Sequence, residues 1–221
     1  MSEPDFSVMP ILATPFGVAE IPEAGSLNPA VTALFDARTP QPGTPARRDP
    51  LVYRSQDDLL EWTEEPVRQL ATALFRGLYA VVGAVNELTP DAWRSLSVQA
   101  RAWYTIVEPN GGVAAAQYPL TAWCGLYWLA APPPSATRQD SGLLRLYESR
   151  PGTMFADATT AQLKLPFTQG HHAWRPQPGH LAVFPASLAH EIAPLRNSER
   201  MVLITLRVRF VGPGQEGISR W

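Results

Sequence analysis

The chain has 221 residues, which is enough for one domain with a sizeable core and too few for a clear second one. With 45% hydrophobic residues, 17% charged residues and a net charge of −2, the composition is that of an ordinary globular protein. The basic residues are scattered, so nothing indicates a nucleic-acid or anionic-membrane surface. The single cysteine, Cys124, excludes an internal disulfide and is consistent with a reducing compartment. No secretory signal pattern and no membrane-length apolar tract is visible, so we expect a cytosolic protein.

Residues 1–98 predict a short strand and supporting helices. The strand lies within Val8–Glu20, and Asn28 followed by proline indicates the start of a helix. Thr39–Pro50 is too rich in proline to hold a helix or a central strand, and this loop could form an interface or a lid. A longer helix is expected from Thr63 to about Leu88. Its buried stripe is predicted to consist of Val67, Leu70, Leu74, Leu78, Val81 and Val85.

From residue 99 onward the apolar period changes to two, which is typical of β-strands. The predicted strands are Ala102–Glu108, Ala122–Ala130, Leu143–Glu148, Leu181–Phe184 and Arg200–Val211. Helices followed by many short antiparallel strands predict one α+β domain, namely a β-sandwich or jelly-roll barrel that is backed by the N-terminal helices.

The last strand suggests a binding pocket. Arg200 shares the face of Val202, Ile204 and the following alternate residues, and we expect this face to point into the core. An inward guanidinium needs an anion, because it cannot lose its proton. If Ile192 pairs with Arg200 in a hairpin, His190 and Arg200 lie roughly 7–8 Å apart in one cavity, which suits a small dicarboxylate. The alternative is an ordinary structural histidine and an arginine that folds back to water.

These residues carry a family resemblance. The run Pro-x-x-Gly-His-Leu-Ala-Val-Phe-Pro-Ala-Ser-Leu-Ala-His190, followed ten residues later by Arg200, resembles the C-terminal half of a 2-oxoglutarate/Fe(II) oxygenase family related to prolyl-4-hydroxylases. The resemblance implies a double-stranded β-helix, a cupin-like jelly roll. It also implies that His190 is the distal iron ligand and that Arg200 grips the far carboxylate of 2-oxoglutarate, with Tyr127 and Thr105 in the same pocket.

The chain differs from the family that it resembles at the positions of the first iron ligands. The family's first ligands, His-x-His or His-x-Asp before a proline, fall on Ala116-Gln117-Tyr118-Pro119 when the chains are registered on Gly125 to Trp128. Ala116 has no donor atom, and Tyr118 is at best a phenol with a pKa of about 10. The sequence contains no His-x-Asp, His-x-Glu or His-x-His anywhere. We therefore expect that iron is not held in the usual way and that His190 is a metal ligand only if iron binds at all.

Three hypotheses follow. The first is an oxygenase-like protein with a degenerate metal site that retains a carboxylate pocket at Arg200. The second is an active 2-oxoglutarate-dependent hydroxylase whose missing ligands come from water or from His171, His172, Asp140 or Asp157. The third is a metal-independent enzyme that uses His190 as base and Tyr118 as acid. Under each of them the partner is a small carboxylate or another small molecule. Relatives of this fold often dimerise, so a homodimer is a further expectation.

Overall fold

The computed structural model describes residues 13–135, 138–147, 163, 165–167, 170–196 and 198–214. Its helices are α1 (Ala24–Arg38), α2 (Glu65–Ala84) and α3 (Pro90–Arg94), with a short 3-10 turn at Leu59–Glu61. Its strands are β1 (Gly17–Glu20), β2 (Val52–Arg54), β3 (Ser97–Val107), β4 (Val113–Ala116), β5 (Trp123–Ala130), β6 (Leu144–Tyr147), β7 (His171–Trp174), β8 (His180–Pro185), β9 (His190–Ile192) and β10 (Met201–Val211).

The strands form two antiparallel sheets. The major sheet has six strands in the order β1-β8-β5-β10-β3-β2, and the minor sheet has four in the order β4-β9-β6-β7. The barrel core lies between the sheets, where major-sheet residues such as Trp128 and Phe184 pack with minor-sheet residues such as Leu144 and Ile192. The helices cover the other side of the major sheet. This arrangement confirms the predicted α+β jelly roll backed by N-terminal helices.

Alternation on β10 decides which residues face the barrel. Val202, Ile204, Leu206 and Val208 pack with residues of α1 and α2, and we call this side of the major sheet the helix face. Met201 and Leu203 pack in the core between the sheets, on what we call the barrel face. Since side chains alternate along a strand, Thr205, Arg207 and Arg209 also lie on the barrel face.

Helix α2 follows its predicted stripe at four of the six positions, whereas Val81 is half-buried and Val85 is exposed. Val67, Leu70, Leu74 and Leu78 are buried, and Pro66 stands in the first turn, where its missing N–H costs no hydrogen bond. The helix ends at Ala84, so Val85 lies beyond it and is 51% exposed.

Other boundaries differ from the predictions for local reasons. Helix α1 begins at Ala24 and not at Asn28, whose side chain is buried and donates to the carbonyl of Leu129 at 3.1 Å. His171 and His172, predicted to lie in a loop, form the start of the edge strand β7. The strand predicted within Val8–Glu20 is observed at Gly17–Glu20, and residues 1–12 lie outside the described part of the chain.

Within the described ranges, no helix combines the length and the apolarity that crossing a membrane requires.

Candidate functional site

The candidate site is built around His190, which opens strand β9 on the barrel face. Its side chain is buried, and the residue is 5% exposed. Nδ1 lies 3.0 Å from the carbonyl oxygen of Leu188, and because a carbonyl can only accept, Nδ1 carries the proton in the neutral ring. Nε2 is then the acceptor, and it lies 4.0 Å from Sγ of Cys124.

The residues predicted at the family's other ligand positions lie next to His190. Strand β4 pairs with β9 so that Ala116 is the partner of His190. Two residues on, the ring of Tyr118 contacts the imidazole edge to face, with 5.6 Å between ring centroids. The ring of Phe184 packs against the imidazole at 5.0 Å. The structure therefore brings His190 and Tyr118 together, with a methyl group where a ligand would be needed.

Burial keeps these groups neutral. Desolvation lowers the pKa of His190 below its ordinary 6.5, partly offset by the hydrogen bond to Leu188. Burial raises the pKa of Tyr118 to about 12, although the positive charges of Arg54 and Arg207 oppose that shift. It also raises the pKa of the Cys124 thiol well above its ordinary value. Near pH 7 the cluster therefore holds a neutral imidazole, a phenol and a thiol.

The expected position of Arg200 is wrong. Strand β9 belongs to the minor sheet and β10 to the major sheet, so the two strands do not form the predicted hairpin pair. Arg200 precedes β10 on the helix side, where its guanidinium binds Asp36 of α1 at 2.7 Å. This ion pair is about two-fifths exposed on each side and raises the pKa of Arg200. His190 and Arg200 therefore do not project into one cavity.

The position expected for Tyr127 is also wrong, and the assignment of Thr105 to the cofactor pocket stays a prediction. Tyr127 is on the helix face, where its hydroxyl donates to Oδ1 of Asn28 at 2.6 Å. The barrel face of β5 instead carries Cys124, Leu126 and Trp128. Thr105 is buried and is paired with Leu203 of β10, and cross-strand partners share a face, so it lies on the barrel face.

The residue that sequence reasoning missed is Arg207. It lies on the barrel face of β10, and its register partner on β5 is Cys124. Its Cζ is 5.1 Å from the ring centroid of Tyr118 and 5.9 Å from that of Trp103. The alternation of β10 correctly predicted that Arg207 and Arg200 lie on opposite sides of the sheet. It could not show which side faces the barrel, because hydrophobic residues occur on both faces of the strand.

The donors near His190 do not fit a centre of two histidines and one carboxylate. Among the described residues, no group of three His, Cys, Asp or Glu side chains could hold a metal ion. His171 and His172 point to opposite faces of β7, toward Tyr147 and Phe16 respectively. Asp140 pairs with Arg145 at 3.3 Å, and Asp157 lies outside the described residues. The expectation that iron is not held in the usual way stays a prediction.

Comparison with known proteins gives a family match and structural neighbours. The family described as "Putative 2OG-Fe(II) oxygenase" matches residues 101–205, which contain part of β3, all of β4 to β9 and part of β10. Among curated proteins, none matches this chain significantly.

Several solved structures share the fold. A Pseudomonas putida prolyl-4-hydroxylase has a TM-score of 0.55 and 13% identity, over 89% of this chain and 92% of its own. AviO1 from Streptomyces viridochromogenes Tue57 has a TM-score of 0.58 and 17% identity, over 92% of both chains. HygX from Streptomyces hygroscopicus, solved with nickel and 2-oxoglutarate bound, has a TM-score of 0.55 and 12% identity, over 91% of this chain and 84% of its own.

At these identities the likeness establishes the fold. The family match covers the segments that carry Tyr118, Cys124 and His190, and it ends two residues before Arg207. The resemblance inferred from the sequence is thereby confirmed: residues 101–205 match the 2-oxoglutarate/Fe(II) oxygenase family, on a chain that has the double-stranded β-helix fold of the prolyl-4-hydroxylase type.

Proposed function

We propose that this protein uses the oxygenase fold to bind a small carboxylate, 2-oxoglutarate among the candidates, without a conventional iron centre. The observation that carries the proposal is the set of groups around His190. Ala116 stands opposite it, the ring of Tyr118 packs against it, and the acceptor Nε2 faces the Cys124 thiol. None of these neighbours supplies a carboxylate, which an Fe(II) site of this type requires.

Arg207, an arginine on the barrel face of β10, supports the proposal that a carboxylate binds here. Arg207 lies beside Tyr118 and Trp103 at the same end of the barrel as His190. A guanidinium offers a planar pair of N–H donors to a carboxylate, and such charge-assisted bonds are strong where water is partly excluded. Tyr118, whose pKa is raised to about 12, remains a hydroxyl donor at pH 7. We assign the role expected of Arg200 to Arg207, because Arg200 is held by Asp36 on the helix side.

The acid–base alternative has less support. Both ring nitrogens of His190 face protein atoms, the Leu188 carbonyl and the Cys124 sulfur, and the residue is 5% exposed. A general base must come within hydrogen-bond reach of the substrate proton. His190 would have to change its contacts first.

Two arginine variants, one on the barrel face of β10 and one just before that strand on the helix side, test the proposal. 2-Oxoglutarate binding is measured by isothermal titration calorimetry on the wild type, Arg207→Leu and the matched control Arg200→Leu. We expect Arg207→Leu to weaken binding by about tenfold to a hundredfold, since charge-assisted hydrogen bonds contribute about 1.5–3 kcal/mol, and Arg200→Leu to bind normally. The reverse order would contradict the assignment of Arg207.

Metal analysis tests the other half of the proposal. After anaerobic loading with Fe(II) and removal of excess metal, we expect iron far below one equivalent per chain. Loss of two ligands should lower metal affinity by more than the roughly 10–100-fold that follows loss of an outer-shell partner. One equivalent of iron that His190→Ala abolishes would overturn the proposal and favour an active hydroxylase.

A further inference from the structure

The outer edge of strand β3 is open along the first half of the strand. On its inner side β3 pairs with β10 along its whole length, Ser97–Val107. On its outer side β2 pairs with it only at residues 105–107, and an isolated bridge joins Asp58 to Ala102. Within the described part of the chain, no strand pairs with the outer side of residues 97–101. We call residues 97–101 the open edge.

The direction of the backbone groups on the open edge follows from Tyr104. Its carbonyl accepts from the N–H of Ser55 at 3.0 Å, and its own N–H donates to Oγ of Ser55 at 3.1 Å, so both groups point away from β10. Because backbone direction alternates along a strand, the N–H and C=O groups of Val98 and Ala100 also point outward. None of the residues that the structure describes bonds them there. The open edge therefore presents two donors and two acceptors.

The open edge of a second copy can satisfy all of these groups. If two open edges run antiparallel about a twofold axis at Gln99, Val98 of each copy faces Ala100 of the other. Each of these facing pairs then exchanges two N–H···O bonds, as hydrogen-bonded pairs of an antiparallel ladder do. The same surface serves both copies, which is the rule for twofold dimers.

The backbone excludes the neighbouring registers that would keep the same faces together. An axis at Ala100 would require the outward groups of Ala102, which the bridge to Asp58 already covers. An axis at Val98 would require the N–H of Leu96, which already donates to a carbonyl of α3 at 3.3 Å. Only the axis at Gln99 pairs all the outward groups of the open edge.

The side chains suit this register on both faces of the sheet. Val98 and Ala100 are half-buried on the helix face, so the second copy brings an apolar side chain against each. On the barrel face, the two Gln99 residues stand directly opposite each other. Oε1 of Gln99 is buried and has no hydrogen-bond donor among the described residues. The amide of the opposed Gln99 carries two N–H donors that can supply one.

Arg101 restricts which strand can pair with the open edge. It is exposed, and a charge at an edge discourages pairing with other strands. In this register Arg101 stands opposite Ser97 of the second copy and not opposite itself. The two Arg101 residues lie four positions apart along the pairing, roughly 14 Å, which exceeds the Debye length of about 8 Å at physiological ionic strength. Their mutual repulsion is therefore largely screened.

We propose that two copies of this protein pair through their open edges, so that their major sheets join across a twofold axis at Gln99. The contact supplies four backbone hydrogen bonds and two Val–Ala side-chain pairs. Because so small a contact buries little surface, we expect a dimer that dissociates in the micromolar range. The inference does not depend on what the barrel binds.

Engineered cysteines in the full chain test the position of the axis. Gln99→Cys places two thiols opposite each other in a non-hydrogen-bonded pair, whose Cα separation of about 4.5 Å a disulfide can span. Arg101→Cys is the matched control, because its thiols would lie roughly 14 Å apart. The natural Cys124 is buried. After mild oxidation, non-reducing electrophoresis should show a covalent dimer for Gln99→Cys and a monomer for Arg101→Cys. No dimer from Gln99→Cys, or equal amounts from both variants, would overturn the inference.

Two variants that add the same charge give a second readout, measured by sedimentation equilibrium. Gln99→Glu opposes two carboxylates at the axis and should weaken the dimer by about twofold to fivefold. Ser97→Glu sets a carboxylate opposite Arg101 twice and should tighten the dimer by about twofold to thirtyfold. A wild type that stays monomeric up to millimolar concentration would refute the dimer. Changes in the same direction for both variants would refute this register.

Discussion

His190 is a histidine whose surroundings oppose its charged form. The imidazole is enclosed by the rings of Tyr118 and Phe184, and desolvation holds its pKa below 6.5. The single carbonyl acceptor at Nδ1 offsets only part of this desolvation. A buried neutral histidine makes folding depend on pH, because the unfolded chain binds the proton that the folded chain excludes.

The sign of that dependence gives a prediction for metal-free protein. As pH falls through about 6.5, the unfolded state takes up a proton at His190 before the folded state does. The free energy of unfolding therefore decreases toward lower pH, by up to about 1.4 kcal/mol per pH unit. Urea unfolding from pH 7.5 to 5 should show a steeper loss for the wild type than for His190→Gln. Parallel curves for the two proteins would mean that the imidazole gains a compensating partner when it is protonated.

Tyr127 and Asn28 link the major sheet to α1 through a buried hydrogen-bond chain. The Tyr127 hydroxyl donates to Oδ1 of Asn28, and Nδ2 of Asn28 donates to the carbonyl of Leu129. Asn28 followed by proline is a common helix-start signal, which explains why the sequence suggested a cap there. The distant partners of Asn28 lie about a hundred residues away in sequence, and no local pattern indicates them.

Removing the Tyr127 hydroxyl should show how much the free energy of unfolding falls when Oδ1 of Asn28 loses its hydrogen-bond donor. We expect Tyr127→Phe to lower the free energy of unfolding by about 1–3 kcal/mol, because a buried acceptor loses its donor. The measurement is urea denaturation of Tyr127→Phe, of Asn28→Ala and of the double variant. The double variant should cost less than the sum of the single ones, and strict additivity would show that the two side chains do not interact.

At the scale of the element, β10 shows what alternation can and cannot predict. The eleven-residue strand and its two residue sets were readable from the sequence, because period two is set by backbone geometry. Its orientation was not, because Val202 and Leu203 are both buried and the strand is covered on two sides. Arg200, placed in the pocket by alternation and by resemblance, and Tyr127, placed there by resemblance, both lie on the helix side for that reason.

The loop Thr39–Pro50 is anchored to the rest of the protein by Arg47. No pattern in the loop sequence predicts that this arginine is buried. The Arg47 side chain is 2% exposed and binds Glu108, at the end of β3, at 3.0 Å, whereas the Glu108 side chain is 23% exposed. Arg47 also donates to the carbonyl of Pro50 at 3.4 Å. Its Nε is buried without a partner among the described residues, so the guanidinium depends strongly on the carboxylate.

Removing Arg47 and removing Glu108 should lower the free energy of unfolding by different amounts. We expect Glu108→Ala to destabilise by about 3–5 kcal/mol, because it leaves a buried guanidinium without its anion. Arg47→Met should cost clearly less, because it leaves a partly hydrated carboxylate and keeps the packing of the aliphatic stem. Urea denaturation measures both free energies, and limited proteolysis should find the loop cut faster only in the Glu108 variant. Equal costs would contradict the buried character of Arg47.

For the whole molecule, the major sheet is the element that the two cores share. Its strands contribute Val202 and Ile204 to the core under the helices, and Met201 and Leu203 to the barrel core. Strands from the first hundred residues complete the sheet at both edges, since β1 pairs with β8 and β2 pairs with β3. The single-domain organisation suggested by chain length stays a prediction, and the sheet that both cores share gives a physical reason for it.

This shared sheet predicts one cooperative unfolding transition. Leu78→Ala on the helix side and Leu144→Ala in the barrel, both at fully buried positions, should each destabilise by about 2–5 kcal/mol. In each variant, circular dichroism at 222 nm, which reports chiefly on α1 and α2, and tryptophan fluorescence, to which the buried Trp128 contributes, should give one coincident urea midpoint. If Leu78→Ala shifted only the helical signal and left the fluorescence midpoint unchanged, the helices and the barrel would be separate folding units. Residues 1–98 would then be a domain of their own, and the cooperative link through the major sheet would be refuted.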